Sequence, residues 1–586
     1  MTIIICEKRQ QILEATGHVL VLGGPGSGKT TIALKKAARM IDEGLQPGQA
    51  ILFLSFSRAA VARIAEVSKT EVERTKRQQL SIQTLHSFCW DILQSHVYLV
   101  GSPKGRLMLL LPHDEKALSG GLKPPAKGQI PSVEWSAWLT ERERLFVEEG
   151  KIVFDLFAQK TANLLSRCSL VRELVADCYP VIIVDEAQDT NADAWRCIEI
   201  LSAHSQIICL GDLDQQIFDH LEGVGPERIQ YIQNVLQPLS MDLGSDNNRS
   251  PGTEIAIFAD DIFSGAVRGS SYAGVSRQMY DPQADPAKRL RSALSQIYRL
   301  IKRATGKWPD SIAILTSTGT GVARVSAALN NETKPVRHKV FLDEAATLLS
   351  ARVAAFLLEP KSPENAQQDV AKCFELLADV RRSTGSIRDA EKYMKWANAI
   401  LQGKNIRAQL PLAVINLINS ARAIEFYGDP SKDWVQIKHL LRASNQKKIS
   451  RIASDLDYLI AFNRGKRIAA NLSTVWINEG CYMRAREALE AALIEDQLYS
   501  GIEDLRGNHV MTIHKSKGKE FDGVIIVRED QKLGAKQGRS TLVWRDDPPP
   551  HHRSRKILHV GITRAKSHVL LLEPSLRCPI LSPHSL

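Results

Sequence analysis

Residues 23–30 read Gly-Gly-Pro-Gly-Ser-Gly-Lys-Thr and fit the pattern G-x-x-x-x-G-K-[ST] of a phosphate-binding loop. An apolar run at 19–22 precedes the loop, and a helical pattern follows it as far as Gly44. Strand, glycine-rich turn and helix are the context that this pattern requires, because backbone N–H groups and the positive end of the helix surround the anion. The stretch therefore predicts an α/β fold with a nucleotide at the loop.

The residue types of the loop suggest a role for each side chain. We expect Lys29 to reach the β- and γ-phosphates of a nucleoside triphosphate and Thr30 to hold Mg²⁺ through its hydroxyl. The other loop residues expected to contact the nucleotide are Gly24, Gly26, Ser27, Gly28 and Thr31. The alternative is a glycine-rich turn without a ligand, which the neighbouring strand and helix disfavour.

The composition is that of a globular protein with an excess of positive charge. Of 586 residues, 44% are hydrophobic and 24% charged, and the formal net charge is +11. Nucleic acid is the first candidate partner, although a basic protein without such a partner has the same composition. The nine cysteines include no C-x-x-C pair and are typical of reduced thiols in a cytoplasmic protein. The sequence contains no run of 18 apolar residues, so we expect no membrane span.

A second signal lies at 181–186, where four apolar residues lead into two carboxylates, Asp185 and Glu186. Ligands gather at the carboxyl edge of open parallel sheets. We expect Asp185 to hold Mg²⁺ and Glu186 to orient and deprotonate an attacking water. A solvated Asp-Glu turn is the alternative, and the buried strand in front of the pair favours catalysis.

Three further residues suit contacts with the γ-phosphate. Gln215 follows the strand predicted at 206–210 and is placed to sense this group. Arg249 and Arg564 are candidate contacts because an arginine supplied across a cleft stabilises the charge of phosphoryl transfer. Gln10, upstream of the loop, carries an amide that can both donate to and accept from adenine. A solvated surface position is the alternative for Gln10 and Arg249.

Composition shifts divide the chain into two α/β parts, each interrupted by an insertion. The first α/β part covers 1–95 and 151–240 with a small insertion at 96–150, and the second covers 241–360 and 505–586 with a helical insertion at 361–504. At about 150 residues for a typical domain, the length agrees with roughly four domains.

Eight short blocks follow one another along both α/β parts. They are GGPGSGKT at 23–30, SFSRAAV at 55–61, TLHS at 84–87, VDEAQDT at 184–190, GDLDQQIF at 211–218, NNRS at 247–250, TIHKSKGKEF at 512–521 and HVGITRA at 559–565. In this order the blocks resemble the motifs of the superfamily 1 DNA helicases of the UvrD/Rep/PcrA type. The two insertions match that family in position and size class only.

The resemblance implies two RecA-like cores with ATP and Mg²⁺ between them and single-stranded DNA across the top of both. By matching position, Gln10 would bind adenine, Glu520 the ribose, and the γ-phosphate would be contacted by Gln215, Arg249 and Arg564. The positions that would contact DNA are Phe56, Ser57, Thr84, His86, Phe218, His220, Thr512 and His514. Packing of a strand end is the alternative for the hydroxyl and aromatic residues among them.

Four features depart from the family pattern. His220 and Leu221 stand where the family has a base-stacking Trp and an Arg, and Asn248 stands where the family has the Tyr that stacks on adenine. The first insertion is also short. We therefore expect weaker base stacking, an interaction worth about 1–3 kcal/mol per base, whereas the groups expected to hydrolyse ATP are all present.

The resemblance implies an ATP-dependent translocase or helicase that moves 3′ to 5′ on single-stranded or tailed duplex DNA. The alternative is a DNA-responsive ATPase that switches a complex and unwinds little. Some compact relatives pair with a nuclease in anti-phage systems of the Gabija kind, so a nuclease is the partner expected under that alternative. Under both hypotheses we expect a cytoplasmic protein without a membrane partner.

Overall fold

The chain forms two compact units in a computed structural model. The described residues are 4–101, 105–122, 124–125, 129–212, 226–244, 249–330, 334–341, 345–404, 406–456, 467–499, 505–533, 537–544, 547–575 and 578–581. The first unit comprises Met1–Ile92, Ala158–Phe341 and Gly501–Leu586, and the second comprises Leu93–Phe157 and Leu342–Ser500. In the described part of the chain, no helix combines the length and the apolar character needed to cross a bilayer.

Six parallel strands form the sheet of the first core. They are β1 (Val19–Leu22), β2 (Ile51–Ser55), β3 (Leu80–Thr84), β6 (Val181–Val184), β7 (Gln206–Gly211) and β8 (Leu239–Asp242). Their order across the sheet is β3-β2-β6-β7-β1-β8. Strands β1, β2, β6 and β7 are buried runs rich in Val, Ile and Leu, as expected for a parallel sheet covered by helices. The predicted strands at 19–22 and 181–184 coincide with β1 and β6.

The helices of the first core connect these strands. They are α1 (Glu7–Glu14), α2 (Lys29–Gly44), α3 (Arg58–Glu71), α4 (Leu85–Ser95), α7 (Phe154–Arg167), α8 (Ser169–Cys178), α9 (Ala192–Ser202) and α10 (Pro226–Leu236). Helix α2 buries Ile32, Ala33, Ala37 and Ile41 in the same hydrophobic cluster as β1. The helix that follows the phosphate-loop pattern is thereby anchored to the sheet.

A second parallel sheet forms the other core of the same unit. Its strands are β9 (Val275–Tyr280), β10 (Ser311–Thr316), β11 (His338–Phe341), β12 (Gly507–Thr512), β13 (Phe521–Val527) and β16 (Ala565–Pro574) in the order β11-β12-β10-β13-β16-β9. A hairpin of β14 (Asp530–Leu533) and β15 (Gln537–Ser540) follows β13. The helices are α11 (Ile255–Ser264), α12 (Pro286–Thr305), α13 (Gly319–Leu329), α22 (Ile513–Ser516) and α23 (His552–Ile562). Two parallel sheets with helices confirm the predicted α/β fold of two RecA-like cores.

The second unit is mainly helical. Its elements are β4 (Met108–Leu110), α5 (Pro112–Leu118), α6 (Val133–Glu149), β5 (Lys151–Val153), α14 (Ala345–Leu358), α15 (Ala366–Ser383), α16 (Ile387–Leu401), α17 (Gln409–Arg422), α18 (Pro430–Arg442), α19 (Lys447–Leu456), α20 (Arg467–Glu479) and α21 (Ala485–Tyr499). In its core, Tyr393 stacks on Trp396 with ring centroids 5.7 Å apart. Phe374 meets the edge of Tyr393 at 5.9 Å.

The two inserted segments belong to one compact unit, although the sequence pattern treats them separately. Arg352 on α14 forms a bidentate pair with Asp114 on α5, at 2.6 and 3.0 Å. These residues are 238 positions apart, which is why a local pattern does not reveal their contact. Helix α14 lies in this unit, whereas the predicted boundary assigned 241–360 to the second core. Strand β8 extends the first sheet to Asp242, two residues past the predicted end.

Candidate nucleotide-binding site

The phosphate-loop pattern forms a turn that leads into α2. Gly26 and Gly28 have φ angles of 87° and 89°, a region that residues with a Cβ rarely adopt. Gly28 is the residue before the first turn of α2, whose N–H groups have no helical partner. The Lys29 ammonium donates to the carbonyl oxygens of Gly23 at 2.6 Å and Gly24 at 2.9 Å. A positive charge therefore lies at the mouth of the loop.

Ser27 contributes a buried hydroxyl to the loop. The residue is 0% exposed, and its Oγ has no hydrogen bond to any described residue. A Cβ added to Gly23 would lie 2.7 Å from this Oγ, so a larger residue would require the serine to shift. An unpaired buried polar atom costs free energy, which an acceptor such as a phosphate oxygen would offset. The atoms of the loop therefore fit an anionic ligand.

Helix α1 presents Arg9, rather than Gln10, to the loop. Arg9 is buried and donates through Nη2 to the Ser27 carbonyl at 3.0 Å. Gln10 is exposed, and its amide donates to Glu14 one turn further along the helix. Consecutive helical residues point about 100° apart, so the two side chains face different directions. Adenine recognition by Gln10 stays a prediction.

The two carboxylates follow β6 at the carboxyl edge of the first sheet. Strand β6 pairs with β2, and the Asp185 N–H continues the ladder to the Leu54 carbonyl at 2.9 Å. Glu186 has a φ of 53°, a left-handed conformation that is uncommon for a residue with a side chain. The Gln188 amide donates to Glu186 at 2.6 Å, and its oxygen accepts from the Asp212 N–H at 3.1 Å.

Strand β7 brings a third carboxylate next to the loop. Strand β1 pairs with β7, with Leu22 opposite Gly211, so Asp212 follows at the same edge as the loop. The Lys29 ammonium lies 3.5 Å from Asp212 Oδ2, and the Asp212 side chain is 2% exposed. The loop, Asp185 and Asp212 are thus held together by the order of three neighbouring strands.

The two adjacent, partly exposed carboxylates have pKa values shifted in opposite directions. Burial and the neighbouring Glu186 charge raise the pKa of Asp185 to about 6, against the attraction of Arg63 and Lys29. Burial also opposes the ionisation of Glu186, but the charges of Lys517 and Lys29 lower its pKa overall. Opposite shifts on neighbouring groups are typical of sites with a division of acid–base roles.

Side chains from the second core approach these carboxylates from its amino edge. Glu520 and Arg564 directly precede β13 and β16, which pair with Phe521 opposite Ala565. Arg249 Nε donates to Glu520 Oε1 at 2.8 Å, and its Nη1 donates to the Thr563 carbonyl at 2.9 Å. Burial disfavours the charged form of Glu520, but Arg63 and Arg249 hold its pKa well below the ordinary value.

Arg564 is buried beneath this network. The residue is 1% exposed, and its Nε donates to the Val560 carbonyl at 2.9 Å in the preceding helix. Burial and the nearby Arg249 charge lower the pKa of Arg564 to about 9, while Glu186 and Glu520 counteract the shift. The charges of Glu186 in the first core and Glu520 in the second therefore partly stabilise the charged form of this arginine.

Two ion pairs join the cores around the site. Lys517, before β13, pairs with Asp189, after β6, and the two side chains are 10% and 2% exposed. Arg63 Nη1, on α3 of the first core, lies 3.1 Å from Glu520 Oε1. Between these pairs Gly518 has a φ of 78°, and a Cβ there would lie 3.0 Å from Ser57 Oγ. The segment 517–520 therefore lies directly against the start of α3.

Comparisons with known proteins agree with this arrangement. The family model described as UvrD/REP helicase N-terminal domain matches residues 6–124 and 108–234. The protein named "Putative ATP-dependent DNA helicase YjcD" from Bacillus subtilis is 21% identical over 634 residues, covering 97% of this chain and 79% of the relative. The chain is thus similar to the UvrD/Rep/PcrA helicases.

Proteins named "ATP-dependent DNA helicase PcrA" match to different extents. The one from Staphylococcus epidermidis is 22% identical over 648 residues, covering 97% of this chain and 83% of the relative. The one from Staphylococcus aureus is 24% identical over 248 residues, a match of 36% of this chain. That match spans only 33%, about a third, of the Staphylococcus aureus protein.

The hydroxyls predicted to contact DNA have local structural partners. Ser57 and Thr84 accept hydrogen bonds from the N–H groups of Ala60 and Ser87, both at 3.1 Å, and thereby cap α3 and α4. Thr512 caps α22 in the same way, through the Lys515 N–H at 3.4 Å. Helix capping alone accounts for serine and threonine at these strand exits.

Three further predicted DNA contacts lie at these strand exits. Phe56, His86 and His514 are partly exposed. Strands β2 and β3 pair with Ser55 opposite Thr84, which brings Phe56 and His86 to neighbouring strand exits. Gln215, Phe218 and His220 lie outside the described residues, so their predicted contacts stay predictions.

Several residues of the site did not appear among the predictions. Arg63 carries a sequence signal, because Ser57, Ala60 and Arg63 recur at helical spacing on the face of α3 that meets the second core. Lys517 and Asp189 lie within motif blocks, but nothing in their spacing pairs them. Trp544, 5.5 Å from the His514 ring and 4.7 Å from the Arg553 guanidinium, has no surrounding motif.

Proposed function

We propose that the chain hydrolyses ATP between its two RecA-like cores and uses the resulting motion to move along single-stranded DNA with 3′–5′ polarity, unwinding tailed duplexes. The observation that carries the proposal is the contact between the two cores around the carboxylates that follow β6, where Lys517 pairs with Asp189 and Arg63 lies 3.1 Å from Glu520. The names of the relatives support ATP and DNA as the substrates.

The loop and the carboxylates have separate tasks in this mechanism. Lys29 leaves the carbonyls of Gly23 and Gly24 and binds the β- and γ-phosphates, while the loop N–H groups hold their oxygens. Thr30 and Asp185 would supply hard oxygen ligands that suit Mg²⁺, and the ion would neutralise phosphate charge. The described residues contain no cluster of three His, Cys, Asp or Glu that resembles a metal site, so these two ligands would act together with the phosphates.

Glu186 is the proposed general base. Its lowered pKa keeps the carboxylate ionised at neutral pH, and the Gln188 amide fixes its orientation. An ionised, oriented carboxylate can accept the proton of a water that attacks the γ-phosphate. Arg249 and Arg564 would then stabilise the charge that develops on the transferred group.

Glu520 gives the proposed cycle a defined starting state. In the structure this carboxylate holds Arg249 at 2.8 Å. Binding of the γ-phosphate would compete for Arg249, and Glu520 would then become available to the ribose. Exchange of this ion pair of the second core for contacts with the nucleotide is the step that couples hydrolysis to motion.

ATP turnover with and without single-stranded DNA tests the enzymatic part. We expect DNA to stimulate the wild type several-fold and Lys29→Ala to reduce turnover by about two orders of magnitude or more, because the γ-phosphate loses its ammonium partner. Circular dichroism of Lys29→Ala controls for folding. An absence of DNA stimulation would refute the proposed coupling.

Strand displacement tests polarity separately. Duplexes with a 3′ tail, a 5′ tail and blunt ends should be displaced at different rates, and the 3′-tailed duplex should be preferred. Preference for the 5′ tail would reverse the proposed polarity. Glu186→Gln serves as the control that binds nucleotide without driving displacement.

A second candidate is a DNA-responsive ATPase switch in a nuclease-containing, anti-phage complex. The substitution of the family's stacking Trp and Arg by His220 and Leu221 favours it, since weaker stacking reduces the grip on bases during unwinding. Purification from native extract distinguishes the candidates. Co-purification of a nuclease with little strand displacement favours the switch, whereas an isolated chain that displaces 3′-tailed duplexes favours the helicase.

A further inference from the structure

Helix α12 carries a row of cations that the proposed ATP cycle does not use. Its 20 residues contain Lys288, Arg289, Arg291, Arg299, Lys302 and Arg303 and no Asp or Glu. The buried stripe of the helix, which includes Leu290, Leu294 and Ile301, packs against the second core. Helical spacing therefore gathers the cations, apart from Arg289, on the outer face.

Four of these cations have no counter-charge within the part of the chain that the structure describes. Lys288, Arg299, Lys302 and Arg303 are exposed and form no ion pair with a carboxylate of the described residues. Surface cations elsewhere do, such as Lys69 with Glu66 and Arg39 with Glu43, both at 2.8 Å. Like charges three or four residues apart destabilise a helix, so an unpaired row is not explained by the stability of α12.

The position of the row within the helix supports the same conclusion. Cations near a helix C-terminus interact favourably with the helix dipole, which accounts for Lys302 and Arg303. Lys288 lies in the first turn, where the dipole favours an acidic residue instead. Arg291 continues this end of the row, and its Nη1 donates to the Lys334 carbonyl at 3.3 Å. Lys334 and Arg337 on that neighbouring segment are also exposed.

The spacing of the cations along α12 suits contacts with the two phosphate backbones that flank a DNA groove. At 1.5 Å per residue, the basic group at 288–291 and the basic group at 299–303 are about 17 Å apart along the axis. This separation exceeds the major-groove width of about 12 Å, so each group can reach one of the two flanking backbones. Ser292 and Ser295 are exposed between the groups, and their hydroxyls can donate to phosphate oxygens.

Single-stranded DNA fits this face less well. Surfaces for single strands combine a basic groove with open aromatic faces. Here the cations lie on the outer face of a helix, and Lys302 Nζ lies 4.2 Å from the ring centroid of the neighbouring, exposed Trp308. We propose that the outer face of α12 is a docking surface for the phosphate backbones of duplex DNA.

The proposal takes its ligand from the proposed function, but its test requires neither ATP nor turnover. Binding of a blunt 30-base-pair duplex and of a single strand of equal length is measured by fluorescence anisotropy over a salt series. Each phosphate contact contributes about 0.9 to the slope of log K against log[salt]. Arg299→Gln/Lys302→Gln/Arg303→Gln should therefore lower the duplex slope by about 2.7.

The matched control removes three other exposed cations that have carboxylate partners. Arg39→Gln/Lys69→Gln/Arg144→Gln changes the net charge equally and should leave the slope nearly unchanged. Lys288→Gln/Arg291→Gln should lower the slope by about 1.8 by the same rule. ATP turnover of all variants should stay near wild type, which distinguishes this test from a failure of the ATPase proposal.

Three outcomes would overturn the proposal. They are an unchanged duplex slope in the α12 variants, an equal loss in the control variant, and a loss confined to single-stranded DNA. The second outcome would indicate a general charge effect, and the third would indicate a different ligand.

Discussion

Arg63 Nη1 lies 3.1 Å from Glu520 Oε1, and this contact connects α3 of the first core with the segment before β13 in the second. The negative charge of Glu520 raises the pKa of Arg63, and Asp185 and Glu186 make smaller contributions in the same direction. Together these charges outweigh burial, which lowers the pKa. The same arginine therefore balances the carboxylates of both cores. Helix α3 begins beside Phe56 and Ser57, so Arg63 also links the predicted DNA contacts to the nucleotide site.

Replacing Arg63 tests this electrostatic link. Arg63→Gln removes a charge that lowers the pKa of Asp185, so this pKa should rise above about 6. If the ionised Asp185 is required for turnover, activity is lost as pH falls through its pKa, and the acid limb of the kcat profile should move to higher pH. We also expect kcat near neutral pH to fall about tenfold, as 1.4 kcal/mol of lost stabilisation would produce.

Two variants control for a purely structural effect. Arg63→Lys retains the charge and should keep the acid limb close to that of the wild type. Lys69→Gln removes a positive charge from the far end of α3 and should change neither kcat nor the limb. An acid limb in Arg63→Gln that coincides with that of the wild type would contradict the electrostatic role.

Glu186→Gln should separate binding from hydrolysis. The amide keeps the size of the side chain but cannot accept a proton, so turnover should fall by about 10²–10⁴. Nucleotide affinity, measured with a fluorescent ATP analogue, should stay within a few-fold of wild type. Turnover within a few-fold of wild type would exclude Glu186 as the base.

Asp185→Asn should stabilise the protein when ligand and metal are absent. The raised pKa means that the folded protein holds a proton at Asp185 between its ordinary pKa of 3.8 and about 6, whereas the unfolded chain does not. The free energy of unfolding therefore falls as pH rises through that window, and the deficit persists above it. An asparagine at this position does not ionise, so the variant does not lose free energy of unfolding in this way.

Thermal melts in the presence of a chelator test whether Asp185→Asn raises or lowers the stability of the protein. The Tm of Asp185→Asn should exceed that of the wild type by a few degrees at pH 7.5, and the difference should shrink towards pH 5. A variant that melts below the wild type at pH 7.5 would show that the ionised carboxylate is stabilising, contrary to the pKa shift.

The Lys517–Asp189 pair should contribute to stability only as a pair. Burial raises the pKa of Asp189 to about 6 despite Lys517. Lys517→Met leaves this carboxylate without its partner, and loss of one member of a buried pair costs about 3–5 kcal/mol. Urea unfolding should show a large loss for Lys517→Met and a smaller loss for Lys517→Met/Asp189→Asn. Equal losses would mean that the uncompensated charge is not the cause.

Local sequence patterns were sufficient to predict much of the candidate site. The loop at 23–30 and the carboxylates after β6 are recognisable because the chemistry of each depends on neighbouring residues in one strand–turn unit. Local patterns also explain why the sequence predicts DNA contacts for Ser57 and Thr84 but not their role as helix caps, which the structure shows. A capping hydroxyl and a DNA-binding hydroxyl look alike in sequence.

By itself, the sequence determined the α/β class, the phosphate loop and the residue types at the strand ends, because hydrophobic period, glycine spacing and adjacent carboxylates act over a few residues. Only the tertiary structure decided that Arg63 and Arg249 share Glu520 and that Lys517 meets Asp189. Arg63 and Glu520 are separated by most of the chain. The contact between them depends on how two sheets approach each other, which no local spacing records.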